Sequence, residues 1–105
     1  MTNRVKNNAP TTLEILGKVF TVDYIEMCGL ACEADGVICH SDQAIKVNKA
    51  CHIERQKEVV LHEITHAIDR ITVLGLDEDN TIRLSNALYT ILKHNPKLVS
   101  WIMAD

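Results

Sequence analysis

The sequence predicts one α+β domain, in which a small antiparallel or mixed sheet of two hairpins packs on a long helix. Strand-forming β-branched and aromatic residues are concentrated between positions 13 and 48, whereas apolar residues recur at helical spacing from position 53 onwards. The chain has 105 residues, of which 47% are hydrophobic, and this is enough for one modest core. A second long helix and a short C-terminal helix are expected after the first.

The first hairpin is expected to follow a polar, flexible arm of residues 1–11, so that the folded domain spans residues 12–105. Strand-forming residues extend from Leu13 to Ile25. Because Gly17-Lys18 falls between two such runs, it is the predicted hairpin turn.

The second hairpin is predicted to follow a loop from Met27 to Gly36. Its strands are expected at residues 36–40 and 43–48, with Ser41-Asp42 as the turn. Apolar residues alternate with small or polar ones in the second of these strands, which is typical of a strand with one buried face.

The first long helix is predicted from Ile53 to Ile71. At about 100° per residue its apolar side chains share one arc, whereas His62, His66 and several charged residues share the opposite side. The apolar arc is therefore expected to pack on the sheet, and both histidines are expected to face a polar cleft. The arc comprises Val60, Leu61, Ile64, Ala67, Ile68 and Ile71.

Asp77 is predicted to cap a second helix that ends near His94, because Asn95-Pro96 disfavours continuation of a helix. One arc of this helix is expected to face inward, and it comprises Ile82, Leu84, Ser85, Leu88, Tyr89, Ile91 and Leu92. Residues 97–103 are expected to form a short last helix, with Trp101 anchored in the core.

The segment His62-Glu63-Ile64-Thr65-His66 predicts a chemical function. Residues four apart lie on one face of a helix, so both imidazoles can bind one metal ion. Glu63 then lies beside the ion and can accept a proton from a water that the metal activates. The pattern H-E-x-x-H is typical of zinc metallopeptidases, and it predicts one Zn²⁺ bound by His62 and His66, with Glu63 as the catalytic base.

A catalytic zinc site uses three protein ligands and leaves a fourth position open. The first turn of the second helix offers the carboxylates of Asp77, Glu78 and Asp79. Glu78 falls within the inward-facing arc of that helix, and an inward carboxylate is costly unless it is paired or bound to a cation. Glu78 is therefore the predicted third ligand, with Asp77, Asp79 and His94 as alternatives.

Charge and hydropathy exclude several partners. The net charge is −3 with both signs interspersed, so no basic stripe predicts a nucleic-acid partner. No apolar run is long enough to span a membrane, and the polar N-terminus lacks the apolar core of a secretory signal. A cytoplasmic protein without membrane contact is therefore expected.

In a reducing compartment the four cysteines are expected to be free thiols. A structural zinc cluster that includes His40 or His52 is the alternative, although the common spacings of zinc-binding cysteines are absent. The cysteines are Cys28, Cys32, Cys39 and Cys51.

From Gln56 to Pro96 the chain resembles the gluzincin-type zinc metallopeptidases, and more closely the small metallopeptidase-like proteins often encoded in phages and prophages. The likeness rests on V-V-L-H-E-I-T-H-A-I-D, then L-D-E-D-N-T-I-R-L-S-N-A-L-Y and L-K-H-N-P, of which H-E-x-x-H is the specific part. The resemblance implies a minimal zincin-like core, zinc on His62, His66 and Glu78, and Glu63 as the general base.

The predicted activity is hydrolysis of peptide bonds in a peptide or protein substrate, with strand 43–48 lining the cleft and pairing with the substrate. Glu58 and Asp69 are candidates to orient the imidazoles. Two alternatives remain open: a non-catalytic zinc-binding module of the phage regulatory type, and a zinc hydrolase of a non-peptide amide. Candidate oxyanion donors are Tyr24, His40 and His52.

Overall fold

The computed structural model describes residues 8–27 and 35–105. These two ranges form four strands and three helices, in the predicted α+β order. The elements are β1 (Thr12–Ile15), β2 (Lys18–Ile25), β3 (Gly36–Cys39), β4 (Ala44–Asn48), α1 (Ile53–Thr72), α2 (Glu78–His94) and α3 (Pro96–Met103).

β1 and β2 form the predicted first hairpin, with a turn one residue earlier than expected. Ile15 pairs with Lys18 in antiparallel register, so the two-residue loop is Leu16-Gly17. Leu16 and Gly17 have φ values of 52° and 86°, and a tight hairpin with this twist requires positive φ at both positions. The predicted turn at Gly17-Lys18 is therefore displaced, because Lys18 already belongs to the ladder.

The end of the N-terminal arm is held against β2. The amide of Val22 donates to the carbonyl of Thr11 at 2.8 Å, and the Tyr24 hydroxyl donates to the carbonyl of Pro10 at 2.8 Å. The arm that the sequence predicts to be flexible through residue 11 is thus fixed at its last two residues, while residues 1–7 lie outside the described ranges.

The two hairpins join in one mixed sheet with the strand order β1-β2-β4-β3. β4 pairs with β2 in parallel, with Val22 opposite Ile45, and with β3 in antiparallel register. Because β4 is paired on both edges, the prediction that residues 43–48 offer a free edge to substrate is wrong. β3 takes the outer position instead, and a four-residue loop around the predicted Ser41-Asp42 turn connects it to β4.

The core lies between the sheet and α1. Phe20 and Val22 of β2 and Ile45 and Val47 of β4 are at most 2% exposed, which confirms the alternation expected for β4. Val59 and Ala67 of α1 complete the same cluster. Each fully buried apolar side chain of this size stabilises the fold by roughly 1.5–3 kcal/mol.

α1 lies between the sheet and α2, so it has two buried sides. It packs on β3 and β4, and α2 packs on α1 through the buried residues Thr81 and Ser85. α1 ends at Thr72 and is capped by Val73, which has a left-handed φ of 54°. The carboxylate of Asp69 accepts the amides of Gly75 and Leu76 at 2.7 and 2.8 Å, which fixes the turn into α2.

The expected inward arc of α2 is wrong for its large apolar residues. The buried residues of α2 are the small side chains Thr81 and Ser85, whereas its large apolar side chains are partly exposed. Leu84, Leu88 and Ile91 are 41%, 38% and 47% exposed, and Trp101 of α3, predicted as a core anchor, is 76% exposed. No helix within the two described ranges combines the length and hydropathy needed to cross a membrane.

Candidate metal centre

His62 and His66 lie one turn apart on α1, and both rings point into the space between α1 and α2. Their Nε2 atoms are 3.1 Å apart, and the rings meet edge to face at an angle of 84°. Two N–H groups cannot face each other at this distance, so at least one of these nitrogens presents its lone pair. Both imidazoles are half-buried, as the predicted cleft requires.

Glu78 enters the same space from the first turn of α2. Its Oε1 lies 3.0 Å from Nε2 of His66 and its Oε2 lies 3.5 Å from Nε2 of His62. The side chain is 61% exposed, so the prediction that Glu78 faces the interior is wrong. It reaches the histidines at the rim of the cleft, where the N-terminus of α2 begins.

The spacing of the three side chains fits one metal ion. Ligand atoms at 2.0–2.1 Å from a tetrahedral zinc lie roughly 3.3 Å from one another. The observed separations of 3.1, 3.0 and 3.5 Å agree with that value. Two imidazole nitrogens and one carboxylate oxygen also form a ligand set that zinc binds in catalytic sites.

The other predicted ligands do not join this group. Asp77 caps α2, and its carboxylate accepts the amide of Asn80 at 2.8 Å. Asp79 is exposed in the first turn, and His94 lies at the far end of α2, roughly 24 Å away along the helix axis. In the part of the chain that the structure describes, His62, His66 and Glu78 are the one group of three side chains arranged to hold a metal ion.

Glu63 projects from α1 towards β3 and is 4% exposed. Burial, and then the negative charge of Glu78, raise the pKa of its carboxyl from 4.5 to about 7. The carboxyl lies under the backbone of Gly36: a Cβ atom at position 36 would be 3.4 Å from Oε2 of Glu63. A carboxyl with a pKa near neutral pH is suited to accept and release a proton.

His62, Glu63 and Glu78 line one cleft of about 290 Å³. Gly36 forms its β3 side, His62 and Glu63 its floor, and Glu78 and Asn86 its α2 side. The cleft is open to solvent at the rim, where a small substrate segment or water can enter.

Ser85 is a buried neighbour of the site that the sequence interpretation assigned only to the inward side of α2. Its Oγ lies 3.5 Å from Nδ1 of His62, on the ring nitrogen that faces away from the candidate metal position. Burial, and then the positive charge of His66, lower the pKa of His62 and favour the neutral form that a metal requires. The signal available in the sequence was a small polar residue seven positions after Glu78, two turns along the same face of α2.

The two residues predicted to orient the imidazoles have other partners. Glu58 accepts from Arg55 at 3.2 Å, and Arg55 also donates to Asp35 at 2.8 Å. Asp69 holds the turn after α1. Of these three side chains, Ser85 is the one that lies within 3.5 Å of an imidazole nitrogen.

The three candidate oxyanion donors differ in location. Tyr24 donates to Pro10 on another side of α1, and Nδ1 of His52 accepts the amide of Glu54 at the start of α1. His40 lies in the loop after β3. Burial, and then the positive charges of Arg70 and His66, lower its pKa.

The cysteines described by the structure are free thiols. Cys39 is exposed, and the Cys51 thiol donates to the carboxylate of Asp35 at 3.3 Å. Neither belongs to a metal-binding group with His40 or His52 among the described residues. Cys28 and Cys32 lie outside the described ranges.

The chain was compared with known proteins at the level of family, sequence and structure. It matches no protein family, no curated protein and no solved structure.

Proposed function

We propose that this protein is a zinc-dependent hydrolase that cleaves peptide bonds. One observation carries the proposal: the ligand atoms of His62, His66 and Glu78 lie within 4.8 Å of one another, and the buried Glu63 lines the same cleft as His62 and Glu78. The H-E-x-x-H segment supplies three of these four residues, and an independent helix supplies the fourth at ligand distance.

Each residue has one role in this proposal. His62, His66 and Glu78 hold the ion, which supplies Lewis acidity for a water and for the substrate carbonyl. Glu63 accepts the proton of the attacking water and returns it to the leaving amine. A cation at the three ligands adds positive charge near Glu63 and lowers its pKa from the value of about 7 that burial gives.

The position of β3 favours a peptide over other amides. Within the described residues no strand pairs with the outer edge of β3, and Gly36 of β3 lines the cleft. An extended peptide can add to such an edge through main-chain hydrogen bonds, which brings its backbone alongside Glu63.

Hydrolysis of a mixed peptide library by purified, zinc-loaded protein tests the proposal. The parent is expected to cleave peptides, and a chelator is expected to abolish the cleavage. Glu63→Gln is expected to bind zinc with similar affinity and to lose a factor of about 10²–10⁴ in rate. Glu14→Gln, an exposed change on β1, is the matched control and is expected to keep the parent rate.

A second candidate function is a non-catalytic metal-binding module that binds another protein, as the large exposed apolar side chains of α2 and α3 favour. Zinc binding without cleavage of any library peptide would support this module and contradict the peptidase. Cleavage of small amides alone would indicate a hydrolase of non-peptide amides.

A further inference from the structure

The short helix α3 is apolar on most of its surface and is largely uncovered. Trp101, Ile102 and Met103 are 76%, 64% and 76% exposed, and α3 contacts mainly the end of α2. A helix that is apolar nearly all round is normally buried. Among the described residues, α3 therefore lacks the packing partner that a helix of this composition normally has.

An apolar groove of about 590 Å³ lies next to α3. Val60 and Leu61 of α1, Leu92 of α2 and Val99 of α3 form its walls, and Tyr24 closes one end. It shares no lining residue with the cleft that holds Glu63 and Glu78. The groove is therefore separate from the candidate metal centre.

Charged residues at the rim of the groove are already paired. Glu54 lies 3.7 Å from the amine of Lys57 and 3.3 Å from that of Lys93, and it also accepts the Tyr89 hydroxyl. The single charge of Glu54 balances one of the two lysines, so this cluster keeps one net positive charge at the rim, outside the apolar walls. Its walls favour an uncharged apolar occupant.

The exposed apolar area of α3, together with the walls of the groove, approaches what one partner buries in a stable pair of chains. Leu98, Trp101, Ile102 and Met103 are between 38% and 76% exposed, which is on the order of 600 Å² for the four residues of α3. Each partner buries about 800 Å² in an interface of standard size, whereas the largest apolar patch of a typical monomer is about 300–600 Å².

We propose that two copies of this chain pair about a two-fold axis, with α3 of each copy packed into the apolar groove of the other. The protruding helix and the groove are adjacent on one chain, since Val99 of α3 belongs to the groove wall. A single two-fold axis can therefore bring both contacts together and close the assembly at two chains.

Tryptophan fluorescence reports on the proposed contact, because Trp101 is the one tryptophan of the chain. Sedimentation equilibrium is expected to give a mass twice the 11.8 kDa of the chain. Dilution is expected to shift the emission of Trp101 to longer wavelength in parallel with dissociation, since the indole moves from an apolar contact to water. A monomer at all concentrations, open-ended polymers, or a dimer in which Trp101 stays accessible to a soluble quencher would each overturn the proposal.

Ile102→Glu is expected to raise the dissociation constant of the dimer at least about tenfold, because it places a charge in the contact. Ile102 is 64% exposed, so the fold of the single chain does not depend on it. Val19→Glu changes a valine that is 60% exposed on β2, far from α3, and is expected to leave the dimer intact. Equal weakening by both variants would contradict the assigned surface. The measurement is made with and without zinc, so its outcome is independent of the proposed hydrolysis.

Discussion

Gly36 of β3 lies directly over the carboxyl of Glu63 on α1. A Cβ atom at position 36 would be 3.4 Å from Oε2 of Glu63 and 3.1 Å from the carbonyl oxygen of Lys46, and it would overlap with Cγ1 of Val59. There is no room for a side chain at this point, so the backbone of β3 approaches α1 closely. That close approach keeps Glu63 out of bulk water and shapes one side of the cleft.

Gly36→Ala is expected to destabilise the fold by about 1–3 kcal/mol, because the added methyl group forces Val59 or the strand to move. Urea denaturation measures the change. Val37→Ala, at the neighbouring and more exposed position, is the control and is expected to cost less. A Gly36→Ala variant as stable as the parent would show that β3 moves freely and does not fix Glu63.

The fold was predictable wherever one face of an element is buried and the other is not. The alternation around Ile45 and Val47 predicted β4, and the capping residue Asp77 with the break at Asn95-Pro96 predicted both ends of α2. The strand order could not be predicted, because the parallel pairing of β2 with β4 joins two strands between which β3 lies in the sequence. It places β3, and not β4, at the edge of the sheet.

The site was predictable to the extent that one helix encodes it. The spacing of His62 and His66 fixes their separation on α1 whatever else the chain does. Glu78 was predicted from an inward arc that the structure does not bear out for Leu84 or Leu88. The residue nevertheless meets the histidines, because the small side chains of α2 set the contact with α1. A helical wheel assigns the buried face by hydropathy, whereas the buried face of α2 consists of the small polar side chains Thr81 and Ser85.

Glu78→Gln is expected to weaken zinc binding by at least about 100-fold, the upper end of the effect of changing a group that only supports a ligand. The amide keeps the shape of the side chain but removes the negative charge that faces both histidines. Competition with a chromogenic chelator measures the affinity. Asp79→Asn, one residue further along the same exposed turn, is the matched control and should bind zinc like the parent. Similar losses in both variants would point to a general charge effect of α2 and would exclude Glu78 as a ligand.

Ser85→Ala is expected to lower zinc affinity by about 10–100-fold. The Ser85 hydroxyl lies 3.5 Å from Nδ1 of His62 and is buried, so it can fix the ring orientation that directs Nε2 at the metal. Thr90→Ala is the control, because the Thr90 hydroxyl donates to a carbonyl of α2, as the Ser85 hydroxyl does to that of Ile82, but Thr90 is exposed. If Ser85→Ala lowers the free energy of unfolding but leaves zinc affinity unchanged, Ser85 only fills space between the helices.

The metal-free protein is expected to lose stability as the pH rises from about 4.5 to about 7, relative to Glu63→Gln. The pKa of Glu63 is raised from 4.5 to about 7 by burial and by Glu78. Between these values the folded state binds more protons than the unfolded state. The stability that Glu63 contributes through its raised pKa is therefore full below pH 4.5 and is lost as the pH rises through 7. The difference in unfolding free energy between the two proteins should therefore change by on the order of 2–3 kcal/mol over this range.

Urea denaturation at several pH values, in the presence of a chelator, measures that difference. The lowered pKa of His62 acts in the opposite direction, with stability gained as the pH rises towards 6.5, but both proteins contain His62, so subtraction isolates Glu63. Parallel stability curves for the two proteins would mean that Glu63 is hydrated and not buried under Gly36. Saturating zinc should abolish the dependence on Glu63, because a cation beside the carboxyl favours its charged form and removes the reason for its raised pKa.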